Sequence, residues 1–316
     1  MKKNLILEIC QNHLGSKRLL EEMIHAASES GVKHLKIQDI HSSELTKRER
    51  FEKGLVKNKK IISIQRPYKK EKKRLSKLDM SPDFIDNFIS VCNKYKCYPI
   101  VTPFTYNSYS RLENKNLKFL KIASYDCSST NFLSKMQDLK IPMIVSTGAT
   151  KKNEIIKAKK ELGKNLFAFL HCVTIYPTPL DKCNLLKIKF LKKFSNIVGW
   201  SDHTLFERDH HIASLASLLC GATYIERHFT ILKKNKTKDG PVSINTSEAK
   251  ELVEYMKLDK KELNKELSKM KPDWKICLGK GKTNLSNLEI LNRDYYRGRF
   301  ASNIDNKLIF NWQKLR

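Results

Sequence analysis

The stretch IVGWSDHTLFERDHHIASLASLLCGATYIERHF, residues 197–229, contains two apolar runs separated by a helix-like segment. Each run ends in polar residues, SDH at 201–203 and ERH at 226–228. In a barrel of parallel strands, the carboxyl ends of all strands open at the same end, which is where catalytic groups lie. This stretch therefore predicts one strand–helix–strand unit whose polar residues face a functional site.

Apolar runs of this kind recur along the chain and alternate with amphipathic segments of roughly a dozen residues. The runs lie at 5–10, 33–38, 98–102, 118–123, 142–147, 166–172, 197–201 and 223–229. Such alternation is typical of repeated βαβ units, and eight strands are the number that closes a (β/α)8 barrel. An open doubly wound sheet is the alternative, but no G-x-G-x-x-G follows the first run. We therefore predict an α/β fold, the (β/α)8 TIM barrel.

Length and composition are typical of a soluble enzyme-sized domain. The chain has 316 residues, and no apolar run in it reaches the length of a membrane span. Its start, MKKNLILEIC, leads into a strand rather than a signal peptide. The eight cysteines include no C-x-x-C pair, which favours a reducing compartment. We expect a cytoplasmic protein with no membrane partner.

The formal net charge of +28 raises the question of a nucleic-acid partner. The basic residues are spread over helix-like and loop-like segments rather than gathered with aromatic residues in one stripe. This distribution favours a biased composition on solvated faces, and nucleic-acid binding stays as an alternative function. The densest basic run, residues 57–77, follows the second predicted strand. A solvated basic surface is the favoured interpretation of this run, and a mobile flap that attracts an anionic substrate is the alternative.

Two histidines stand at matching strand ends. His203 and His228 are one strand–helix–strand unit apart, so their imidazoles come within reach of one ion in a barrel. We predict that both are metal ligands; imidazole ligands alone also suit Zn²⁺ or Fe²⁺. His171 is assigned to a structural role, and His210 and His211, inside the next helix-like segment, to the surface or to packing.

Lysines and hydroxyl residues close several of the other runs. The positions are Lys36, Thr102, Lys121, Ser124, Ser146 and Ser201. Ammonium and hydroxyl groups bind phosphate and carboxylate oxygens, although a lysine at a strand end is often only a surface group that extends into solvent. Several such groups at one barrel end predict an anion-binding site.

The chain resembles the sialic acid synthase family from about residue 5 to residue 301. The blocks that carry the resemblance are EICQNHLGS, KIQ, VTPF, KIASYD, VSTGAT, LHCVTIYPTP, GWSDHT and GATYIERHFT. The family condenses phosphoenolpyruvate with an N-acylated aminosugar aldehyde, which gives a nine-carbon 2-keto sugar acid for a surface glycan and releases phosphate. The resemblance implies this activity, places phosphoenolpyruvate at the lysine and hydroxyl positions, and implies Mn²⁺ or Mg²⁺ at His203 and His228.

The resemblance also implies a sugar side of the site. Gln38, Tyr176 and Asp239 align with sugar-side polar positions, and Thr174 stands where the family often has asparagine. Asp126 aligns with a family glutamate near the reacting centre, and it is our candidate base for the attacking water. The alternative for Asp126 is a helix cap for the segment that starts near Ser129.

The chain departs from the family pattern at two places. Leu14 replaces a polar residue of the N-H-x-G block, which would signal a less polar sugar or reduced activity. The segment CLGKGKTNLSNLEILNRDYYRGRFAS resembles the linker to the family's antifreeze-like domain, which swaps between the subunits of a dimer and supplies an arginine to the partner's sugar site. We therefore expect a barrel over residues 1–270 and a linker-like segment with a tail over 271–316, without that domain.

These departures leave two open questions. Either the basic loop at 41–79 and the tail cover the site, or the site is more open than in the family, and a homodimer is one assembly that the resemblance suggests. The main alternative function is a catalytically impaired, anion-binding barrel that acts as a partner of a true synthase.

Overall fold

The eight predicted runs form the eight parallel strands of one closed barrel in the computed structural model, which describes residues 2–315. The strands of the chain are β1 (Asn4–Cys10), β2 (His34–Asp39), β3 (Leu55–Lys57), β4 (Lys60–Ser63), β5 (Tyr98–Pro103), β6 (Phe119–Ile122), β7 (Met143–Ser146), β8 (Leu166–His171), β9 (Val198–Asp202), β10 (Tyr224–His228), β11 (Ser302–Ile304) and β12 (Lys307–Ile309). The barrel order is β1, β10, β9, β8, β7, β6, β5, β2 and back to β1. The TIM barrel prediction is confirmed, and each barrel strand lies within one residue of its predicted run at both ends.

Helices surround the barrel. They are α1 (Lys17–Glu29), α2 (Tyr68–Ser76), α3 (Phe84–Lys94), α4 (Ser108–Leu112), α5 (Thr130–Gln137), α6 (Lys152–Leu162), α7 (Lys187–Leu191), α8 (Phe206–Asp209), α9 (Ile212–Leu219), α10 (Thr246–Tyr255), α11 (Lys260–Met270) and α12 (Asn287–Tyr296). Side chains such as Leu7, Ile9 and Leu35 point outward and join the large apolar cluster between strands and helices. Burial of this cluster is the main force that holds the helices against the strands.

The inside of the barrel is divided into an apolar layer and a polar layer. Ile6, Ile100, Phe119, Ile144, Ala168, Leu170 and Tyr224 form a separate cluster to which six strands contribute. Successive side chains of a strand alternate between its two faces, so the residue two positions later also faces the interior. In β1 that residue is Glu8, in β6 it is Lys121 and in β10 it is Glu226. The two-residue period of the strands therefore places charged side chains in the layer next to the apolar layer, toward the carboxyl ends of the strands.

Two segments outside the barrel contain more regular structure than the sequence predicts. The segment with the basic run at 57–77 forms an antiparallel hairpin of β3 with β4, which begins at Leu55, followed by α2. The segment after residue 270 includes α12 and a hairpin of β11 with β12, whereas the sequence predicts a linker-like segment with a tail. Both segments pack near the carboxyl ends of the barrel strands.

Two global expectations can be compared with the structure. Every helix in the described part of the chain is too short or too polar to cross a membrane. All eight cysteines are buried and unpaired with one another.

Candidate active site

A cavity of about 470 Å³ opens at the carboxyl ends of the barrel strands. All thirteen residues that the sequence predicts for the site line it: Lys36, Gln38, Thr102, Lys121, Ser124, Asp126, Ser146, Thr174, Tyr176, Ser201, His203, His228 and Asp239. They come from strands all around the barrel and from the loops that follow these strands. The fold therefore gathers residues that are up to about two hundred positions apart in the sequence into one chamber.

Four charged side chains lie in the deep part of the cavity. The ammonium group of Lys36 contacts the Glu8 carboxylate, which lies on the next strand at the same register, and lies 3.8 Å from Oε1 of Glu226. The ammonium group of Lys121 lies 3.7 Å from Oε2 of Glu226 and donates to Ser146 Oγ at 2.6 Å. Thr102 accepts from Lys36 at 3.1 Å, so lysines, carboxylates and hydroxyls form one network.

Burial and charge pairing set the protonation of this network. Burial opposes ionisation of Glu226, but Lys121 and Lys36 outweigh it and hold the pKa at about 2. Burial raises the pKa of Glu8, in part offset by Lys36. Burial lowers the pKa of Lys121, in part offset by Glu226, whereas for Lys36 the two carboxylates outweigh burial and raise the pKa. The chamber thus combines fixed positive groups with hydroxyls from several strands.

The two predicted metal ligands are neighbours. The ring centroids of His203 and His228 are 5.5 Å apart. Nδ1 of His203 lies 3.0 Å from the Val173 carbonyl oxygen, and Nδ1 of His228 is buried without a hydrogen-bond partner among residues 2–315. Burial lowers the pKa of both rings, to about 4 for His203. Both imidazoles are therefore neutral at pH 7, which is the form that binds a metal ion.

A second set of donors overlaps this pair. One potential ligand atom from each of Cys10, His228 and Asp239 lies within 4.8 Å of the others, and His203 is not part of this group. Oδ2 of Asp239 accepts from the Cys10 thiol at 3.0 Å, and Oδ1 accepts from the Tyr176 hydroxyl at 2.9 Å. The orphaned Nδ1 of His228 and the adjacent carboxylate fit a divalent cation.

Asp126 lies in the cavity wall, and its hydrogen-bond partners in the described part of the chain are uncharged. Its Oδ1 accepts from Asn311 Nδ2 at 2.9 Å and from Ser129 Oγ at 3.2 Å. Ser129, rather than Asp126, is the N-cap residue of α5. Burial raises the pKa of Asp126 to about 6, and the bonds from Asn311 and Ser129 limit the rise. A carboxyl group with this pKa can exchange a proton near neutral pH.

The remaining sugar-side positions also lie at the cavity wall. Gln38 donates to Glu8 Oε2 at 3.2 Å. The Tyr176 ring packs against the His203 ring in a tilted arrangement, with the centroids 5.3 Å apart. The Thr174 hydroxyl is buried without a partner among the described residues. Its carbonyl accepts from Asn292 Nδ2 at 2.6 Å, so the C-terminal segment touches this wall.

Comparison with known proteins identifies the family. The sequence model of the NeuB family matches residues 23–267. The chain belongs to the NeuB family. The family match confirms the resemblance to sialic acid synthases, which the sequence motifs had indicated.

Several relatives of the chain are named as sugar acid synthases. The N,N'-diacetyllegionaminic acid synthase of Campylobacter jejuni is 32% identical over 262 residues, which is 80% of this chain and 75% of the relative. The N-acetylneuraminate-9-phosphate synthase of Drosophila melanogaster is 30% identical, over 79% of this chain and 66% of the relative. A crystal structure of an N-acetylneuraminic acid synthetase from Leptospira borgpetersenii, in complex with citrate, aligns with a TM-score of 0.68 and 25% identity, over 93% of this chain and 91% of that one.

The structure does not support a substrate-contacting role for Leu14. This residue has a positive φ of 53° and is 41% exposed, and it does not line the cavity. Cys10, at the end of β1, and Gln11, at the start of the loop, line the cavity instead. Leu14 faces away because the loop turns through Leu14 and Gly15, both with positive φ.

The other three histidines that we assigned lie outside the cavity lining. Nε2 of His171 lies 2.9 Å from the Cys183 carbonyl oxygen, and the ring packs on Trp200, as its structural assignment expects. His210 and His211 do not lie inside one helix, because α8 ends at Asp209 and α9 begins at Ile212. His211 is buried and His210 is exposed.

Sequence reasoning missed two groups of cavity residues in this NeuB-family chain. Glu8 and Glu226 belong to the deep network. The signal for Glu8 was a charged residue inside an apolar run, and Glu226 stands in the polar end of its run but was given no role. Arg66, Arg74, Lys238, Asn292, Tyr296, Arg299 and Phe300 line the outer part. They come from the 41–79 loop, the loop after β10 and the segment after residue 270, so both candidate cover segments reach the cavity.

Proposed function

We propose that this NeuB-family protein is a transferase of the EC 2.5.1 type that condenses phosphoenolpyruvate with an N-acylated aminosugar aldehyde. The product is a nine-carbon 2-keto sugar acid for a surface glycan, and phosphate is released. The observation that carries the proposal is the convergence of Lys36, Lys121 and several hydroxyls in one chamber. The same chamber contains neutral imidazoles, a carboxylate with a raised pKa and polar sugar-side groups.

Phosphoenolpyruvate would bind in the deep part of the cavity. It carries a phosphate and a carboxylate, and the lysine and hydroxyl groups of the network bind such oxygens with charge-assisted hydrogen bonds. Glu8 and Glu226 hold the two ammonium groups in place between ligand-binding events. Confinement of the two substrates in one chamber supplies the orientation that a bimolecular reaction needs.

The chemical step forms a bond between C3 of phosphoenolpyruvate and the aldehyde carbon of the open-chain sugar. Water adds to C2 of phosphoenolpyruvate, and the resulting tetrahedral intermediate expels phosphate by cleavage of the C2–O bond. Asp126 is the candidate base that takes the proton of this water, because its pKa of about 6 leaves it ionised at neutral pH. Asp239 and Tyr176 would bind sugar hydroxyls or the acylamino group.

A divalent cation, Mn²⁺ or Mg²⁺, is part of the proposal. His203, His228 and Asp239 would hold it, with Cys10 adjacent. When bound, the ion supplies Lewis acidity toward the aldehyde oxygen. Cys10 hydrogen-bonds the Asp239 carboxylate, and burial raises the pKa of its thiol, so in the protein as described it acts as a hydrogen-bond donor.

The chain would work as a barrel, residues 1–270, with a C-terminal segment, residues 271–316, that covers the mouth; residues 1 and 316 lie outside the described part. Asn292, Tyr296, Arg299 and Phe300 of this segment line the cavity, which supports a role in the site. We also propose a cytoplasmic location, supported by eight buried cysteines without disulfides. A homodimer stays a prediction.

The alternative of an impaired barrel loses one of its two supports, because Leu14 does not line the cavity; the other is the expected lack of the antifreeze-like domain. A nucleic-acid-binding function has no observation in its favour beyond the net charge. The experiment that tests the proposal measures phosphate release from phosphoenolpyruvate with and without N-acetylated aminosugars in the presence of Mn²⁺. Release that requires both substrates, and that is lost in Lys121→Met, supports it; phosphate release that is independent of the sugar overturns it.

A further inference from the structure

Four cationic side chains line the outer part of the cavity: Arg66, Arg74, Lys238 and Arg299. Three of them contact one carboxylate, Glu71. Arg74 donates to both Glu71 oxygens, at 2.9 and 3.1 Å, Arg299 donates to Oε1, and Lys238 lies 3.8 Å away. The Asp239 carboxylate also lies near Arg74 and Lys238. Two carboxylates do not neutralise these four cations, which we call the outer cation cluster.

The deep part of the cavity differs in its charge balance. There Lys36 and Lys121 face two carboxylates, Glu8 and Glu226. The uncompensated positive charge is therefore located at the entrance. Like charges that are held together in a partly buried site repel one another. A bound anion would offset this repulsion and stabilise the outer cation cluster.

Arg299 provides a second and independent sign of a missing ligand. This residue is 8% exposed, and its guanidinium packs over the rings of Phe300 and Tyr296, at 4.7 and 5.6 Å from the centroids. Its Nε is buried and has no hydrogen-bond partner among residues 2–315. A buried donor without a partner is unfavourable, and an anionic oxygen in the cavity would satisfy it.

The outer cation cluster borders the sugar side of the cavity. Lys238 immediately precedes Asp239, which accepts from Tyr176 and Cys10. Arg74 Nη1 donates to Gln11 Oε1 at 3.4 Å, next to Cys10. Gln11 and Asp239 both line the cavity. An anion at the cluster would therefore lie beside the groups that we assign to the sugar, Asp239 and Tyr176.

We propose that the outer cation cluster is a second anion subsite, which binds a phosphate group on the aminosugar, at the end remote from the aldehyde. The substrate class is thus an N-acylated aminosugar phosphate rather than a neutral aminosugar. This inference rests on the proposed condensation. Arginine guanidinium groups suit it because they bind phosphate oxygens through two N–H donors at once.

The test compares N-acetylmannosamine with N-acetylmannosamine 6-phosphate as partners of phosphoenolpyruvate. In the native chain, kcat/KM for the phosphorylated sugar is expected to be at least about 100-fold higher, the worth of two charge-assisted hydrogen bonds. Arg74→Met and Arg66→Met should each lower kcat/KM for the phosphorylated sugar by about 10-fold, mainly through KM, and change that for the neutral sugar much less. Lys73→Met, an exposed neighbour on α2, is the matched control.

Two further measurements keep the outcomes distinct. The affinity for phosphoenolpyruvate alone, measured by calorimetry, should be the same in Arg74→Met as in the native chain; a loss there would assign the outer cation cluster to phosphoenolpyruvate and overturn the subsite. Arg299→Lys, which keeps the charge but loses the fork of donors, should retain the fold and still weaken the phosphorylated sugar.

Failure of this inference differs from failure of the proposed function. If the neutral sugar is converted with an equal or higher kcat/KM, the condensation stands and the phosphate subsite is wrong. If neither sugar releases phosphate from phosphoenolpyruvate, the proposed function fails and the subsite falls with it.

Discussion

Asn311 donates a hydrogen bond from Nδ2 to Oδ1 of Asp126 at 2.9 Å. Both side chains are buried, and the same Nδ2 also donates to the Phe104 carbonyl at 2.9 Å. The hydroxyl of Tyr106 donates to the Asn311 carbonyl at 3.2 Å. The C-terminal segment is thus fixed against the carboxylate that we propose as the base, and we infer that Asn311 is a positioning residue for it.

Replacement of Asn311 by Leu should move the acid limb of the pH profile upward. A carboxylate that accepts an N–H bond is favoured over its protonated form, so this bond lowers the pKa of Asp126. Without it, the pKa rises above about 6, and the ionised base is lost at a higher pH. The measurement is kcat/KM against pH, with Asn303→Ala, on the exposed hairpin of β11 with β12, as the control. An acid limb that is identical in Asn311→Leu and the native chain would remove Asn311 from this role.

Replacement of Lys36 by Met should weaken both the fold and phosphoenolpyruvate binding. Loss of one partner of a buried ion pair costs about 3 to 5 kcal/mol of the free energy of unfolding, because Glu8 is left unpaired. Lys36→Met combined with Glu8→Gln should recover much of this stability, as measured by urea unfolding, but not the affinity for phosphoenolpyruvate.

Lys121 tests the binding role with a smaller structural effect. Lys121→Met should weaken phosphoenolpyruvate binding by about 1.5 to 3 kcal/mol, the range for a hydrogen bond to a charged group. Calorimetry on folded protein gives this value directly. Native affinity in both lysine variants would place the anion elsewhere.

Removal of divalent metal with a chelator should abolish phosphate release, and Mn²⁺ or Mg²⁺ should restore it. His203→Ala and His228→Ala should each lower the affinity for Mn²⁺ by at least about tenfold, because ligand loss exceeds the effect of an outer-shell change. Cys10→Ala, with the buried Cys277→Ala as control, shows whether the thiol contributes. Full activity of the His203→Ala, His228→Ala double variant in chelator would contradict the metal site.

Most of the barrel and the inner site follow from patterns that are local in the sequence. A strand such as β10 alternates in a two-residue period, so the order of residues alone puts Tyr224, Glu226 and His228 on one face. The polar residues at the ends of the other barrel strands can be predicted from the same period. The sequence of each barrel strand therefore predicts where the strand begins and ends, and which residue lies at its carboxyl end, near the cavity.

The parts that could not be predicted depend on contacts between distant segments. Glu8 looks like an isolated acid in an apolar run, and only the barrel register places it beside Lys36. Asn311 and Arg299 reach the cavity because α12 and the last hairpin pack over the mouth, which no periodicity in the sequence specifies. Leu14 was assigned from a motif position, but its positive φ turns it outward.

The buried pair of Asp202 with Arg227 should be a main determinant of stability. Arg227 Nη1 lies 2.9 Å from Asp202 Oδ1, and both side chains are fully buried. Arg227→Met should lower the free energy of unfolding by about 3 to 5 kcal/mol. The surface pair of Arg18 with Glu22 is the matched control, and Arg18→Met should leave the urea midpoint almost unchanged. Equal effects of the two variants would show that the buried pair is not special.

The most direct test of the account follows the carbon of phosphoenolpyruvate. The protein is incubated with Mn²⁺, [3-¹³C]phosphoenolpyruvate and an N-acylated aminosugar or its phosphate, and the products are observed by ¹³C NMR and mass spectrometry. The account predicts that the label appears as a methylene carbon bonded to the former aldehyde carbon, in a nine-carbon 2-keto acid formed in equal amount with phosphate. Label that remains in phosphoenolpyruvate, or that appears only as pyruvate, with the metal and both substrates present would contradict it.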